Sequence, residues 1–186
     1  AEDMIGVVMT HTSANTRPPG GTRPFFGSNP VCVTAPMRDE GPYCFDAATS
    51  SITFNEVRQQ RDEQGTLPEQ TAADADGAPT RDPAAATQLL PLGGHKGFGL
   101  AMNVDIFSGL LSGMAVGREV SAMFGEEIGD RRRLGHHVVA VNIASFVDPA
   151  VFKRRLQTLA DAVRTEPQRS TATPNQVPGD PEKMIQ

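Results

Sequence analysis

A mixed α/β domain is the fold class this sequence predicts, and three observations predict it. Short apolar or β-branched runs stand at Met4 to Thr10, Val31 to Ala35 and His137 to Ile143, as strands do. Apolar residues recur at helical spacing after Gly97 (Leu100, Val104, Phe107, Leu111) and after Asp148 (Phe152, Leu156, Leu159, Val163). Strands and helices are mixed along the chain without an internal repeat, so the class is α/β or α+β.

The elements follow in order. Met4 to Thr10 is a strand, and Thr12 to Pro24, rich in Pro, Gly, Thr and Asn, is a loop. Val31 to Ala35 and Tyr43 to Asp46 are two strands joined by the polar turn Met37 to Gly41. Ser51 to Gln64 is polar and helical, with Thr49 or Ser50 as its cap and Asp46 in support. Gly65 to Ala86 is loop-rich, with turn signals at Asp76-Gly77 and Asp82-Pro83. A helix opens at Gly97 and stops near Gly113. His137 to Ile143 is a strand of the buried type. Asp148-Pro149 supplies the N-cap and first position of the last long helix. From Glu166 the tail is rich in Pro, Thr and Gln and ends in Val177-Pro178-Gly179-Asp180-Pro181. The expected division is a domain over residues 1–165 and a C-terminal segment over 166–186.

Composition narrows the function classes. A chain of 186 residues, 38% hydrophobic, can bury a core of its own. Its 22 acidic against 17 basic residues give a net charge of −5, which argues against a nucleic-acid binder. Phe98 to Met114 comes nearest to a membrane span, but Asn103 and Asp105 interrupt it. The chain starts Ala-Glu-Asp-Met, without a basic leader, directly before a core strand, and reads as cut from a longer polypeptide. Cys32 and Cys44 have no zinc-ligand spacing and read as buried thiols in a reducing, cytoplasmic setting.

The segment Pro91-Leu92-Gly93-Gly94-His95-Lys96-Gly97 carries the most chemistry. Glycines admit close backbone approach, a helix start aims amides at an anion, and Lys96 adds a positive charge. That makes a phosphate or pyrophosphate site; a Gly-rich turn with a solvated lysine is the alternative. Neither G-x-G-x-x-G nor G-x-x-x-x-G-K-[ST] occurs, so neither familiar nucleotide loop is present. Asp46-Ala47-Ala48-Thr49-Ser50 follows a strand. Its acid can accept from ribose hydroxyls or a carboxamide, and its small residues leave room for a flat ring; helix capping is the competing reading. Ser28 and Asn29 in Phe26-Gly27-Ser28-Asn29-Pro30 can orient a carboxylate or carbonyl, or form an ordinary Asx turn. The four histidines, His11, His95, His136 and His137, are not spaced as metal ligands, and one of the last two is a core or interface residue.

Taken in order, these pieces resemble the type 2 malate/L-lactate dehydrogenases. The matching stretches are Pro19-Gly20-Gly21, Phe26 to Pro30, Asp46 to Ser50, Asp76 to Pro83, Pro91 to Leu100, Arg133 to His136 and Pro178 to Asp180. The resemblance implies a non-Rossmann α/β fold with a mixed sheet flanked by helices, a homodimer, and NAD or NADP as cofactor. It also implies hydride transfer between nicotinamide and a small 2-hydroxy or 2-oxo acid. Ureidoglycolate dehydrogenase and cyclic-imine or diketo-acid reductases are relatives within the same pattern. Position by position, it implies cofactor contacts at Thr12, Asp46, Ala47, Ala48, His95, Lys96, Pro178, Gly179 and Asp180. Ser28, Phe54 and Asn55 fall at substrate positions, and Glu56 where some members carry a proton-relay acid. No metal is implied.

The sequence also departs from the family. Asn55 replaces a customary Gly, which affects substrate identity, and the loop from Thr66 to Gly77 differs in detail. Members are nearly twice as long, and their catalytic His, with a nearby Ser and Arg, lies in a part to which nothing here aligns. A non-catalytic dimerisation or binding module and a generic phosphate-binding α/β protein are therefore the competing classes.

Overall fold

The structure, a computed structural model, describes residues 3–122, 132–169 and 174–183. The Ala1-Glu2 start lies outside the described residues. In chain order the elements are β1 (Met4–Thr10), β2 (Val31–Ala35), β3 (Tyr43–Ala47), α1 (Phe54–Asp62), β4 (Ala72–Ala73), β5 (Pro79–Thr80), β6 (Gln88–Leu89), α2 (His95–Val104), β7 (His136–Asn142), α3 (Pro149–Thr165) and α4 (Asp180–Lys183). The mixed α/β class and the three main strands stand where the sequence puts them. The chain divides into two compact units, one of Ala1–Val8, Cys32–Asp46 and Val138–Gln186, the other of Met9–Val31 and Ala47–His137.

The first unit is built on a four-stranded sheet in the order β3-β2-β1-β7. β7 is an edge strand, and its residues alternate between exposed and half-buried, with Val138 69% exposed. The expectation of a buried strand there is corrected: an edge has a neighbour on one side only. His136 is exposed and His137 half-buried. Asp148 caps α3 as expected, its Oδ1 accepting from the Val151 N–H at 3.0 Å, with Pro149 opening the helix.

The buried face of α3 differs from the predicted stripe. Gln157 and Ala160 are buried, whereas Leu159 is 62% and Val163 39% exposed. Two local facts account for this. Ala160 is small enough to pack closely in the cluster with Met37 and Val177, against which Tyr43 and Leu156 also pack. The Gln157 amide donates to Glu40 at 2.8 Å and to Asp161 at 3.1 Å, so a polar side chain goes in with its partners.

Beside that cluster sits a charged network. Arg164 meets Asp180 through Nε at 2.9 Å and Nη2 at 2.5 Å, and meets Glu40 through Nη1 at 2.7 Å and Nη2 at 3.1 Å. Lys183 reaches Glu40 at 2.5 Å. The two ends of the network are α3 and the short α4, which lies in the tail marked in the sequence by its Pro, Thr and Gln.

The second unit holds a small antiparallel sheet in the order β5-β4-β6, with Ala72 opposite Thr80 on one side and Leu89 on the other. Asp74 closes the β4–β5 turn by accepting from the Asp76 and Ala78 amides. The core is Ile52, Val57, Leu67, Ala72, Ala86 and Leu89, with Phe54 packed against it. The cap of α1 is Thr53, not Thr49 or Ser50. Thr53 Oγ1 accepts from the Glu56 N–H at 3.2 Å, and Glu56 Oε2 accepts from the Thr53 N–H at 2.6 Å, a closed capping box.

The core-facing side of α2 is also corrected. Gly97, Ala101 and Val104 are buried, followed by Asp105, Ser108 and Gly109 in a π-helical turn over Asp105–Leu110. The predicted Leu100, Phe107 and Leu111 are 37%, 41% and 70% exposed. A π turn takes an extra residue and rotates the phase of the face that follows. Small residues then win the inner side because backbone approaches closely there. A Cβ at Gly109 would stand 2.6 Å from Val116 Cγ1, and one at Gly135 1.8 Å from Ser108 O.

The charged network makes stability depend on acid. Hydrogen bonds from Arg164 and then Lys183 hold the Glu40 carboxyl at about 2, against an ordinary 4.5. Because the folded pKa is depressed, the contribution is complete above about 4.5 and is lost as pH falls through about 2. Thermal unfolding of the parent and of Glu40→Gln is therefore expected to separate near neutral pH and to converge toward about pH 2. Parallel melting curves at every pH would contradict it.

Candidate functional site

Four residues singled out from separate stretches line one cavity of the second unit. Thr12 comes from the loop after β1, Ser28 from the turn before β2, and Phe54 and Asn55 from the first turn of α1. The cavity has a volume of about 500 Å³ and is also lined by Thr53 and Arg58. Its polar groups are hydroxyls, amides and one guanidinium, donors suited to a small oxygen-rich ligand. Arg58 escaped sequence reasoning. It sits three positions after Asn55 and four after Phe54, so the helical spacing could have placed it on their face.

Asn29 fixes this corner from behind. It is fully buried and adopts a left-handed backbone, φ 34°. Its Oδ1 accepts from the Thr12 N–H at 2.9 Å, and its Nδ2 donates to Ala101 O at 2.9 Å and to Asp105 Oδ2 at 2.6 Å. The other Asp105 oxygen accepts from the Gly117 N–H at 2.8 Å. Asn29 therefore faces the protein, and only its neighbour Ser28 faces the cavity. The Ser28 carbonyl is itself held, accepting from the Thr49 N–H at 2.7 Å and the Thr49 hydroxyl at 2.9 Å.

Thr49 also anchors the glycine-rich segment. The Leu92 N–H donates to Thr49 O at 2.9 Å, the Ser51 N–H donates to Leu90 O at 2.8 Å, and Ser50 bridges Pro91. The stretch that begins at half-buried Ala47 and Ala48 is thereby laced to the stretch that leads into His95 and Lys96. Gly97 makes the lacing possible. A Cβ there would lie 2.3 Å from Leu92 O and 2.7 Å from Thr49 O, both backbone atoms that cannot yield.

The start of α2 differs from the sequence picture of free amides. The Gly94 N–H donates to Pro91 O at 3.1 Å and the Gly97 N–H to Leu92 O at 2.8 Å, with the Lys96 N–H on Gly93 O at 3.5 Å. The turn consumes those donors, so anion attraction here falls mainly to the side chain of Lys96. His95 and Lys96 are exposed, and Gly93 (φ 58°) and Gly94 (φ 65°) face open space, with nothing within 4 Å of where a Cβ would stand. That left-handed pair suits glycine and leaves room for a bulky anionic ligand.

In the first unit, Asp46, Pro178 and Gly179 line a cavity of about 350 Å³ together with Cys44 and Phe45. Asp46 is exposed at its rim. Gly179 (φ 96°) lies against Cys44, and the Cys44 N–H points to Pro178 O at 3.5 Å. Asp180 does not join them. Its carboxylate takes Arg164 and the Val177 N–H, at 2.9 Å, and Arg164 holds it below the ordinary carboxylate range. Cys32 and Cys44 are free thiols, half-buried; burial, and then the neighbouring Cys44, push the Cys32 thiol up, away from the nucleophilic thiolate.

Glu56 is drawn into the capping box, and its carboxylate is turned to the N-terminus of α1. His11 is fully buried, its Nδ1 accepting from the Gly135 N–H at 3.4 Å, while the His137 ring stacks 5.0 Å from that of Phe107.

Known proteins are similar to this chain in sequence and fold. A family model described as malate/L-lactate dehydrogenase matches residues 1–186. The chain is 35% identical over 159 residues to a ureidoglycolate dehydrogenase (NAD(+)) of Escherichia coli O157:H7, covering 85% of this chain and 45% of that protein. It is 38% identical over 154 residues to a delta(1)-pyrroline-2-carboxylate reductase of Burkholderia ambifaria, covering 82% and 43%. The sulfolactate dehydrogenase of Methanocaldococcus jannaschii superposes with a TM-score of 0.88 at 30% identity, over 98% of this chain and 52% of that one. The chain thus spans about half the length of the relatives it matches. It belongs to the malate/L-lactate dehydrogenase family.

Two substitutions test the architecture of the site. Asn29→Ala leaves Asp105 and the Thr12 amide without their partner and is expected to cost about 2–4 kcal/mol in urea unfolding. Gly97→Ala is expected to lower stability by more than about 2 kcal/mol, because a methyl cannot coexist with two carbonyl oxygens. Unfolding midpoints unchanged in both variants would disprove the packing described.

Proposed function

We propose, with membership of this family as the premise, that the chain forms the dinucleotide- and substrate-binding part of an NAD- or NADP-dependent oxidoreductase. The reaction is reversible hydride transfer between nicotinamide and the carbon bearing the hydroxyl or oxo group of a small 2-hydroxy or 2-oxo acid. Ureidoglycolate-type and cyclic-imine acids are the related alternatives, in line with what the relatives are named for. The observation that supports the reading most is the lacing of Thr49–Ser51 to Leu90–Leu92, which joins the Ala47-Ala48 stretch to exposed His95 and Lys96.

When bound, the nicotinamide supplies the hydride chemistry; the protein's own residues bind, orient and exclude water. Lys96 is assigned to a cofactor phosphate as a point charge, with Gly93 and Gly94 leaving it room. His95, Thr12, Ala47 and Ala48 are assigned as further cofactor contacts. For Asp46 the assigned role is to accept from a sugar hydroxyl, and for Pro178 and Gly179 to present backbone to the ligand. Ser28 and Asn55 orient the acid, and the Phe54 ring shields it from water. Asp180 and Glu56 are left out of direct contact, because their carboxylates are engaged by Arg164 and by the α1 cap. A homodimer in a reducing, cytoplasmic setting completes the reading, in keeping with two free thiols.

Titration with NADH and NADPH, followed by their fluorescence, is the direct experiment. Lys96→Ala is expected to weaken binding of the preferred cofactor by about tenfold, the loss of one charge-assisted phosphate contact. An unchanged affinity would remove Lys96 from the site.

A further inference from the structure

We infer that Arg164 is a positioning residue for the cofactor: by clamping Asp180 it sets the Pro178-Gly179 turn as a wall of the cavity beside Asp46. The inference rests on the reading of that cavity as part of the dinucleotide site. Neither composition nor motif marks Arg164, which lies near the C-terminal end of α3.

The geometry runs through four consecutive residues. Val177 is buried in the cluster with Met37 and Ala160. Its N–H donates to Asp180 Oδ2 at 2.9 Å, and the Asp180 N–H returns to Val177 O at 3.0 Å. The turn is therefore closed by Asp180 itself, with Pro178 and Gly179 at its tip. Arg164 grips the same carboxylate with two nitrogens, a planar fork that fixes direction as well as distance. Glu40 takes further guanidinium contacts and Lys183, so the arginine is held on both sides. What the clamp leaves facing the cavity is the tip, with exposed Pro178 against Cys44 and Asp46.

Asp180 then contributes to binding through the turn, and a lysine at 164 keeps charge but not the fork. Side chains that orient a binding surface act on affinity without touching the ligand, because a displacement of about 1 Å degrades every contact the surface makes.

The experiment uses the full chain and two readouts. The first is NADH and NADPH affinity of the parent, Arg164→Met, Arg164→Lys and Asp180→Asn. About tenfold weaker binding is expected for Arg164→Met and Asp180→Asn, with Arg164→Lys between them and the parent. The second needs no cofactor. In a Cys32→Ala background, Cys44 is the sole thiol, and its labelling by an aromatic disulfide reagent reports whether the turn still covers it. Labelling is expected to be about fivefold faster in Arg164→Met, and unchanged in Lys153→Met, which breaks the separate pair with Asp3. Should Arg164→Met not fold, Arg164→Lys is read in the same two ways.

A parent chain that binds neither cofactor would overturn the proposed function, while the thiol readout would still decide the clamp. Normal cofactor affinity in the arginine variants of a binding-competent parent would overturn the inference. So would weakened affinity with Cys44 labelled at the parental rate.

Discussion

The close approach of backbone at Gly97 is the constraint on which the second unit depends. Two carbonyl oxygens, from Leu92 and Thr49, occupy the space where any other residue would place its Cβ. Because they do, the strand-like stretch after β3 and the segment entering α2 exchange hydrogen bonds. The same Thr49 fixes the Ser28 carbonyl, and through it the turn that carries Ser28 to the cavity. One missing methyl group thus sets the relation among three stretches far apart in sequence. A larger residue would have to separate them.

Each unit also holds a network of paired polar side chains, buried around Asn29 in the second and half-buried around Arg164 in the first. Asn29 and Asp105 share their hydrogen bonds among Thr12, Ala101 and Gly117. Glu40, Arg164, Asp180 and Lys183 do the same with charge. A buried polar group without its partner costs more than the bond itself contributes, so such networks admit few alternative arrangements. That is a physical reason for finding them behind surfaces that must hold a fixed shape. The left-handed backbone of Asn29 fits this picture, since the hydrogen bonds offset a conformation that most side chains avoid.

The correction at the start of α2 changes the chemistry assigned to it. A helix opening was expected to offer free amides, but the tight Leu92–Gly97 turn folds most of them onto its own carbonyls. What this segment can offer an anion is then an exposed ammonium at the end of a flexible stem, which supplies charge without the direction of a backbone cradle. Asp180 shows the converse. Its carboxylate is spent inside the protein, on Arg164 and the Val177 N–H, and so shapes the backbone of the Pro178-Gly179 turn.

Local chemistry made part of this protein legible in its sequence. β-Branched runs gave β1 and β2, Asp148-Pro149 gave the start of α3, and the ordered motifs gave the family, because these features depend on neighbours in sequence. The gathering of Thr12, Ser28, Phe54 and Asn55 at one cavity was legible only through the resemblance, with Arg58 one helical turn away left unread. The inner faces of α2 and α3 were legible only in part, at Val104 and Leu156. Hydrophobic periodicity assumes that large apolar residues go in, whereas here small residues and polar ones go in as well, because backbone contact is close at α2, a π turn resets the phase after it, and Gln157 of α3 enters with its partners. Arg164 has no local signal, and the turn that marks Asn29 does not disclose its inward role: their partners Glu40 and Asp105 lie 124 and 76 residues away, and only the tertiary structure brings those charges and amides within hydrogen-bonding reach.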